Sequence, residues 1–220
     1  MTCTLDLCTT SDGRGSDADA AEWVELRDGS MVAVRPVRAS DRARLADGFA
    51  RLSPSSRRFR FLAGKEALSP SELHYLTDVD HSDHEAIGAV DVADGRGVGI
   101  ARFVRSRTDP DTAEVAITVV DEWHRRGLGT ILLSRLIASA RAVGIHAFVA
   151  LVAIDNLAMI GLLSAKPGVE LVHADLDTLE FEVSLGRFAA GLDAPRGSVP
   201  TAHDLISERV QLGKVVGGQL

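Results

Sequence analysis

Cysteine is almost absent from this chain: Cys3 and Cys8 are the only two among 220 residues. Two thiols in a polar leader cannot build a tetrahedral zinc site unaided, so both are read as incidental. Long apolar runs are missing as well. Stretches such as Ala147–Ile154 fall far short of the roughly 20 residues that cross a bilayer as a helix, which argues against a membrane partner. The leader Met1–Ala20 has neither a basic start nor an apolar h-region, so no secretory signal is expected and the location is read as cytoplasmic. Basic excess is lacking too: the formal charge of -7 argues against generalised attraction to nucleic acid or anionic lipid. Aromatics are scarce, at 5%, and Tyr75 is the single tyrosine.

What is present is ordinary for a globule: 45% hydrophobic and 25% charged residues, with 20 glycines. This length buries one sizeable core and favours one domain with appended tails. Residues 1–20, rich in Thr, Ser, Asp and Gly without apolar periodicity, read as a flexible tail. Residues 21–187 read as the folded domain, and residues 188–220, where Gly, Pro, Ala and Ser recur around a weak helix at 203–212, as a peripheral tail.

Within the domain, Trp23–Leu26 and Met31–Val37 alternate around Asp28-Gly29, a hairpin signal. Ser40 or Asp41 caps a helix to about Leu52. Ser53-Pro54 and Ser69-Pro70-Ser71-Glu72 are cap-plus-proline starts of two more. The period then changes. Glu85–Val92, Val98–Val104 and Ala113–Val120 predict three strands of an antiparallel meander, the first two joined through Asp94–Gly97. Gly127–Val143 follows as a broadly apolar helix ended by Gly144. Phe148–Ile154 predicts a buried strand, Asn156–Lys166 a helix stopped by Pro167-Gly168, and Val169–His173 with Leu179–Leu185 a final strand pair. The expected class is mixed α/β.

The segment Val119-Val120-Asp121-Glu122-Trp123-His124-Arg125-Arg126-Gly127-Leu128-Gly129-Thr130 runs from strand through loop into helix. Without a Cβ at Gly127 and Gly129, successive amides can curl around an oxyanion, and the helix adds its positive N-terminal dipole. Arg125 and Arg126 add charge. Neither a P-loop nor a Gly-x-Gly-x-x-Gly dinucleotide fingerprint fits, because Thr130-Ile131-Leu132 follows Gly129.

At these residues the chain resembles the GNAT superfamily of acetyltransferases, whose signature Gln/Arg-x-x-Gly-x-Gly/Ala reads here His124-Arg125-Arg126-Gly127-Leu128-Gly129. The two glycines match, and His124 departs from the usual Gln or Arg. The order of elements from Met31 to Leu185 follows the family as well. The resemblance implies the GNAT fold, a mostly antiparallel twisted sheet with a splayed parallel strand pair, and acetyl-coenzyme A as co-substrate with no metal. It further implies that backbone groups of Ile117, Thr118 and Val119 meet the pantetheine arm where a bulge splays the strands. The amides of Arg125 to Thr130 would hold the pyrophosphate. Asn156 matches the family's cofactor-binding Asn, and a helix cap is an equally good reading of it.

A lysine of pKa about 10.4 must lose a proton before its nitrogen can attack a thioester. Glu114, near the start of the strand that continues into the phosphate loop, is the candidate general base. An ordinary exposed glutamate at a strand start is the plainer reading. Other members of the superfamily carry the base on the next strand, but Leu151-Val152-Ala153-Ile154 offers no carboxylate. Leu163 stands where many have a tyrosine acid, and Tyr75 lies in an N-terminal helix.

A narrower resemblance, in Leu26-Arg27-Asp28-Gly29-Ser30-Met31-Val32-Ala33-Val34-Arg35-Pro36-Val37 and Leu52-Ser53-Pro54-Ser55-Ser56-Arg57-Arg58-Phe59-Arg60-Phe61, is to the GNAT domain of bacterial protein lysine acetyltransferases of the Pat type. That group implies protein lysines as acceptors, AMP-forming acyl-CoA synthetases among them, and a glutamate at the Glu114 position without the late tyrosine. The cyclic-nucleotide or synthetase-like domain of some members has no room here. An enzyme acting on small amines and a non-catalytic acyl-CoA sensor are the competing readings. The Arg57-Arg58-Phe59-Arg60 cluster reads as a solvated helix face or an acidic-partner dock. His74, His81 and His84 with Asp78, Asp80 and Asp83 read as a polar loop whose spacing matches no metal motif. Oligomeric state is left open.

Overall fold

A computed structural model of the chain describes residues 21–164 and 166–190. The two cysteines and the 203–212 helix therefore lie outside the described residues.

One eight-stranded sheet organises the domain. Its strands are β1 (Glu22–Glu25), β2 (Met31–Pro36), β3 (His84–Asp91), β4 (Gly97–Arg105), β5 (Thr112–Val119), β6 (Ala147–Ala153), β7 (Val169–Ala174) and β8 (Thr178–Ser184). Their spatial order is β1-β2-β3-β4-β5-β6-β8-β7. Each ladder is antiparallel except β5 on β6. The hairpin turns at Gly29, whose φ of 83° is where a residue without a Cβ is unstrained.

Helix α1 (Arg42–Ala50) follows a 3-10 turn, Ala39–Asp41; α2 (Pro54–Phe61) and α3 (Pro70–Thr77) come next. Both later starts are capped as their sequences predict: Ser53 Oγ accepts from Ser56 N, and Ser69 with Glu72 closes a capping box. On the other face, α4 (Leu128–Ala142) buries Leu128, Leu132, Leu133, Leu136, Ile137 and Ala140. Gly99 is what lets it approach, since a Cβ there would lie 3.0 Å from Leu132 Cδ1. Helix α5 (Leu157–Ser164) begins one residue after Asn156, and α6 (Leu185–Ala190) follows β8.

Strand β5 has two faces. By register and alternation, Glu114, Ala116 and Thr118 lie opposite Val104, Arg102 and Ile100 of β4, on the α1–α3 side. Val115, Ile117 and Val119 lie on the α4 side.

The polar loop before β3 is held by a carboxylate. Asp80 Oδ1 accepts the amides of Ser82, Asp83 and His84 at 2.9, 2.8 and 2.9 Å. Burial opposes its ionisation, but those bonds prevail and bring it down to about 2.

Candidate active site

The parallel pair is short. β5 meets β6 only at Thr112↔Ala147, Ala113↔Phe148 and Glu114↔Val149. Past Glu114 the strands separate, and no bulge parts them on the β4 side, where the register on β5 is unbroken from Arg105↔Ala113 to Gly99↔Val119. The cause is a division of loyalties: β5 follows β4, whereas β6 stays paired with β8 along its whole length, to Ala153↔Thr178. Sheet twist then carries the two halves apart.

The split exposes alternate backbone groups. Val120 N donates to Val98 O at 2.9 Å, so in an antiparallel ladder Thr118 and Ala116 also bond toward β4, and Ile117 and Val119 face the gap. This corrects the expectation for Thr118, whose backbone is engaged with β4; its buried hydroxyl oxygen lacks a partner instead. Val119 O accepts from His124 Nε2 at 2.8 Å, which gives the departing His124 a local role.

The loop needs Gly127 for its conformation, while Gly129 lies in the first turn of α4 with open space around it. A 3-10 turn at Asp121–Trp123 leads to Arg125 with φ 63° and Gly127 with φ 94°, and Gly127 caps α4. Among the described residues, the amides of 125–129 donate to no protein acceptor, while Thr130 N already donates to Gly127 O at 3.1 Å. Five consecutive open donors at a helix start suit a pyrophosphate. The two arginines differ. Arg125 is exposed and lines the cleft. Arg126 is a brace: it donates to Glu122 O at 2.7 Å, pairs with Asp28 at 2.9 Å and lies 4.6 Å over Trp123. Arg27, from the hairpin turn, packs on Gly127, with Nε 3.3 Å from where a Cβ would sit.

The cleft, about 1310 Å³, runs from Arg27 and the loop through the split to Glu114 and Arg60. Asn156 lines it and caps α5, its Oδ1 accepting from Met159 N at 3.2 Å, so both of its readings are compatible. Glu114 is exposed, at the last paired residue before the split.

Sequence reasoning missed Asp121, which anchors α2 to the loop. Its carboxylate accepts from Ser53 N at 2.9 Å, Ser53 Oγ at 2.7 Å and Ser56 Oγ at 2.8 Å. Burial opposes its ionisation, and those bonds outweigh it and hold the group below the ordinary carboxylate range. The arginine cluster of α2 disperses: Arg57 donates to Glu66 O and Ala50 O, Arg58 pairs with Asp155 beside Asn156, and Arg60 enters the cleft.

A strand pair parted beyond three residues, open amides on its edge and an anion cradle at the next helix have the chemistry to receive an acyl-coenzyme A. Residues 52–166 match the Acetyltransferase (GNAT) family, and the chain belongs to that family of acetyltransferases. It is 33% identical over 185 residues to Acetyltransferase Pat of Mycolicibacterium smegmatis, across 84% of this chain and 53% of that protein. The chain thus spans about half the length of that curated relative. The GNAT domain of S. lividans Pat superposes with TM-score 0.68 at 29% identity, covering 74% of this chain and 96% of that one. YncA of Salmonella typhimurium, solved with its cofactor acetyl-CoA, shares the fold at TM-score 0.57 and 24% identity, over 74% of this chain and 99% of that one.

Proposed function

We propose that this acetyltransferase transfers acetyl from acetyl-coenzyme A to the side-chain amine of protein lysines, with Glu114 as general base. AMP-forming acyl-CoA synthetases are the acceptors favoured by the likeness to Pat, and the cytoplasm is the compartment to which the composition points. The observation that carries the reading is the position of Glu114: it stands where the β5–β6 pair ends, on the strand whose next residues face the gap and whose end enters the anion cradle.

The thioester supplies the acyl group and the leaving thiol. The chain's own part has three pieces. Open amides at 125–129, with Arg125, hold the phosphates; Ile117 and Val119 hold the arm by backbone; Asn156 closes the opposite side. Glu114 takes a proton from the acceptor ammonium, directly or through one water; the freed nitrogen lone pair forms the C–N bond as the C–S bond breaks, and the nitrogen sheds its second proton to solvent. No tyrosine stands at position 163, so the thiolate takes its proton from solvent.

Ala116 and Thr118, the next two residues on the face of Glu114, are small. The test is incubation with labelled acetyl-coenzyme A against a panel of acyl-CoA synthetases and a panel of small amines. Label on a synthetase lysine, lost in Glu114→Gln, is the expected result. Label on small amines alone would favour the second reading, a small-amine acetyltransferase.

A further inference from the structure

Two arginines stand close to Glu114 in an arrangement the acyl transfer above does not use: Arg60 lines the cleft, and Arg102 lies behind it in a smaller cavity. Arg102 is 5% exposed, and its guanidinium carbon lies 4.7 Å from the centre of the Tyr75 ring. Arg60, in the last turn of α2, lies 4.9 Å over Phe61 and lines the cleft together with Glu114. Both arginines also line a smaller cavity of about 90 Å³ beneath α1, which meets the cleft at Arg60, Phe61 and Thr118.

Other arginines of this helical face are neutralised. Arg35 and Arg44 share Asp41, and Arg51 pairs with Asp47. Arg60 and Arg102 have no carboxylate within ion-pair distance among the described residues. Arg102 is hydrogen-bonded to Tyr75 and the Glu114 charge acts on both arginines, but holding two guanidinium groups together out of water against one exposed carboxylate is expensive, so the fold points to a further negative group supplied from outside. Burial and the like charge of Arg102 bring Arg60 down to about 10, with only partial relief from Glu114. Between the cleft and the smaller cavity, the buried Thr118 hydroxyl oxygen is without a partner.

Register fixes the distance scale. Arg102 pairs with Ala116, one row along the same face from Val104↔Glu114. Diagonal neighbours of that kind lie about 7–8 Å apart, within reach of a long side chain.

We propose that Arg60 and Arg102 form an anion subsite for the acceptor, which presents a carboxylate a side chain's length from the amine that reaches Glu114. For a protein acceptor this is an aspartate or glutamate flanking the acetylated lysine. The inference rests on the acetyl-transfer reading and adds to it a substrate preference. The excess positive charge also favours delivery of the amine in its uncharged form.

The test compares matched acceptors with the full chain: lysine peptides flanked by Glu or by Gln, and small amines bearing a carboxylate or its carboxamide. Wild type is expected to prefer the acid member by roughly tenfold or more in kcat/KM, the scale of a charged hydrogen bond. Arg60→Gln should collapse that ratio toward one, and Arg60→Lys should restore part of it. Arg102→Gln should do the same if it folds; the Arg60 variants decide if it does not. Equal rates within pairs, a ratio that survives Arg60→Gln, or no turnover of any pair overturns the subsite. Silent peptides with an acid preference among the small amines would uphold it while refuting the protein-lysine reading.

Discussion

The two ends of β5 are built from different materials. At its C-terminal end the candidate site is backbone: open amides at 125–129, the gap-facing amides of Ile117 and Val119, and a glycine with φ 94° at the helix start. At its N-terminal end the site is side chains, with Glu114 of β5, Arg102 of β4, Arg60 of α2 and Tyr75 of α3 drawn to one place. Backbone chemistry needs a local conformation, so a dozen consecutive residues specify it. Side-chain chemistry needs a tertiary assembly, and the chain is free to collect it from distant segments.

At the backbone end the probe that sharpens this contrast is the pair of glycines. Gly127→Ala forces a Cβ into left-handed backbone, at a cost of about 1–2 kcal/mol. It should weaken coenzyme A binding by about tenfold or more in calorimetry. Gly129→Ala, with nothing within 4 Å of its new methyl group, should leave affinity within about threefold. Equal losses at both positions would show that bulk at the loop, not backbone direction, is what matters.

At the side-chain end the corresponding probe is acid. His84 is buried beside Tyr75, and burial first, then Arg102, lowers it from 6.5 to about 4. The folded state therefore binds fewer protons than the unfolded state between those values. Its contribution is complete above pH 6.5 and is lost as pH falls toward 4, by about 3 kcal/mol in all. Thermal melts of His84→Phe should lack that part of the slope; an unchanged slope would remove His84 from the explanation.

Asp121 joins the two ends, and Asp121→Asn should cost about 1–3 kcal/mol of stability through its bonds to Ser53 and Ser56. It should raise KM for the acceptor more than Kd for coenzyme A, because α2 carries Arg60. The smallest effect separates adjacent arginines. Arg125→Gln should weaken coenzyme A binding a few-fold and flatten its salt dependence, whereas Arg126→Gln should lower stability by about 1 kcal/mol with little change in that dependence.

The sequence made the donor end legible and the acceptor end only in part. Proline and serine caps at Ser53 and Ser69, the period change at β3 and the glycine at 127 are local signals, and the structure follows them, whereas Gly129 lies in α4 with open space around it. Glu114 could be placed on its strand by alternation alone. That the strands part just past it was not legible, since the cause is the pairing of β6 with β8 rather than a bulge in β5. Nor was the fate of the arginines: Arg57, Arg58 and Arg60 are near neighbours in sequence, yet one braces α1, one reaches Asp155 and one enters the cleft. Arg125 and Arg126 are equivalent in the sequence, and it is the tertiary contacts with Asp28 and Trp123 that set Arg126 apart.

The central claim is that one strand holds the donor by backbone at one end and deprotonates the acceptor by side chain at the other, as separable functions. The measurement that tests it most directly pairs the pH dependence of kcat/KM with calorimetric binding of coenzyme A, in wild type and Glu114→Gln. The account predicts a rate loss of about 10²–10⁴-fold with the limb governed by the base gone, and a coenzyme A affinity that does not move. An unchanged profile, or a rate loss matched by an equal loss of affinity, would contradict it.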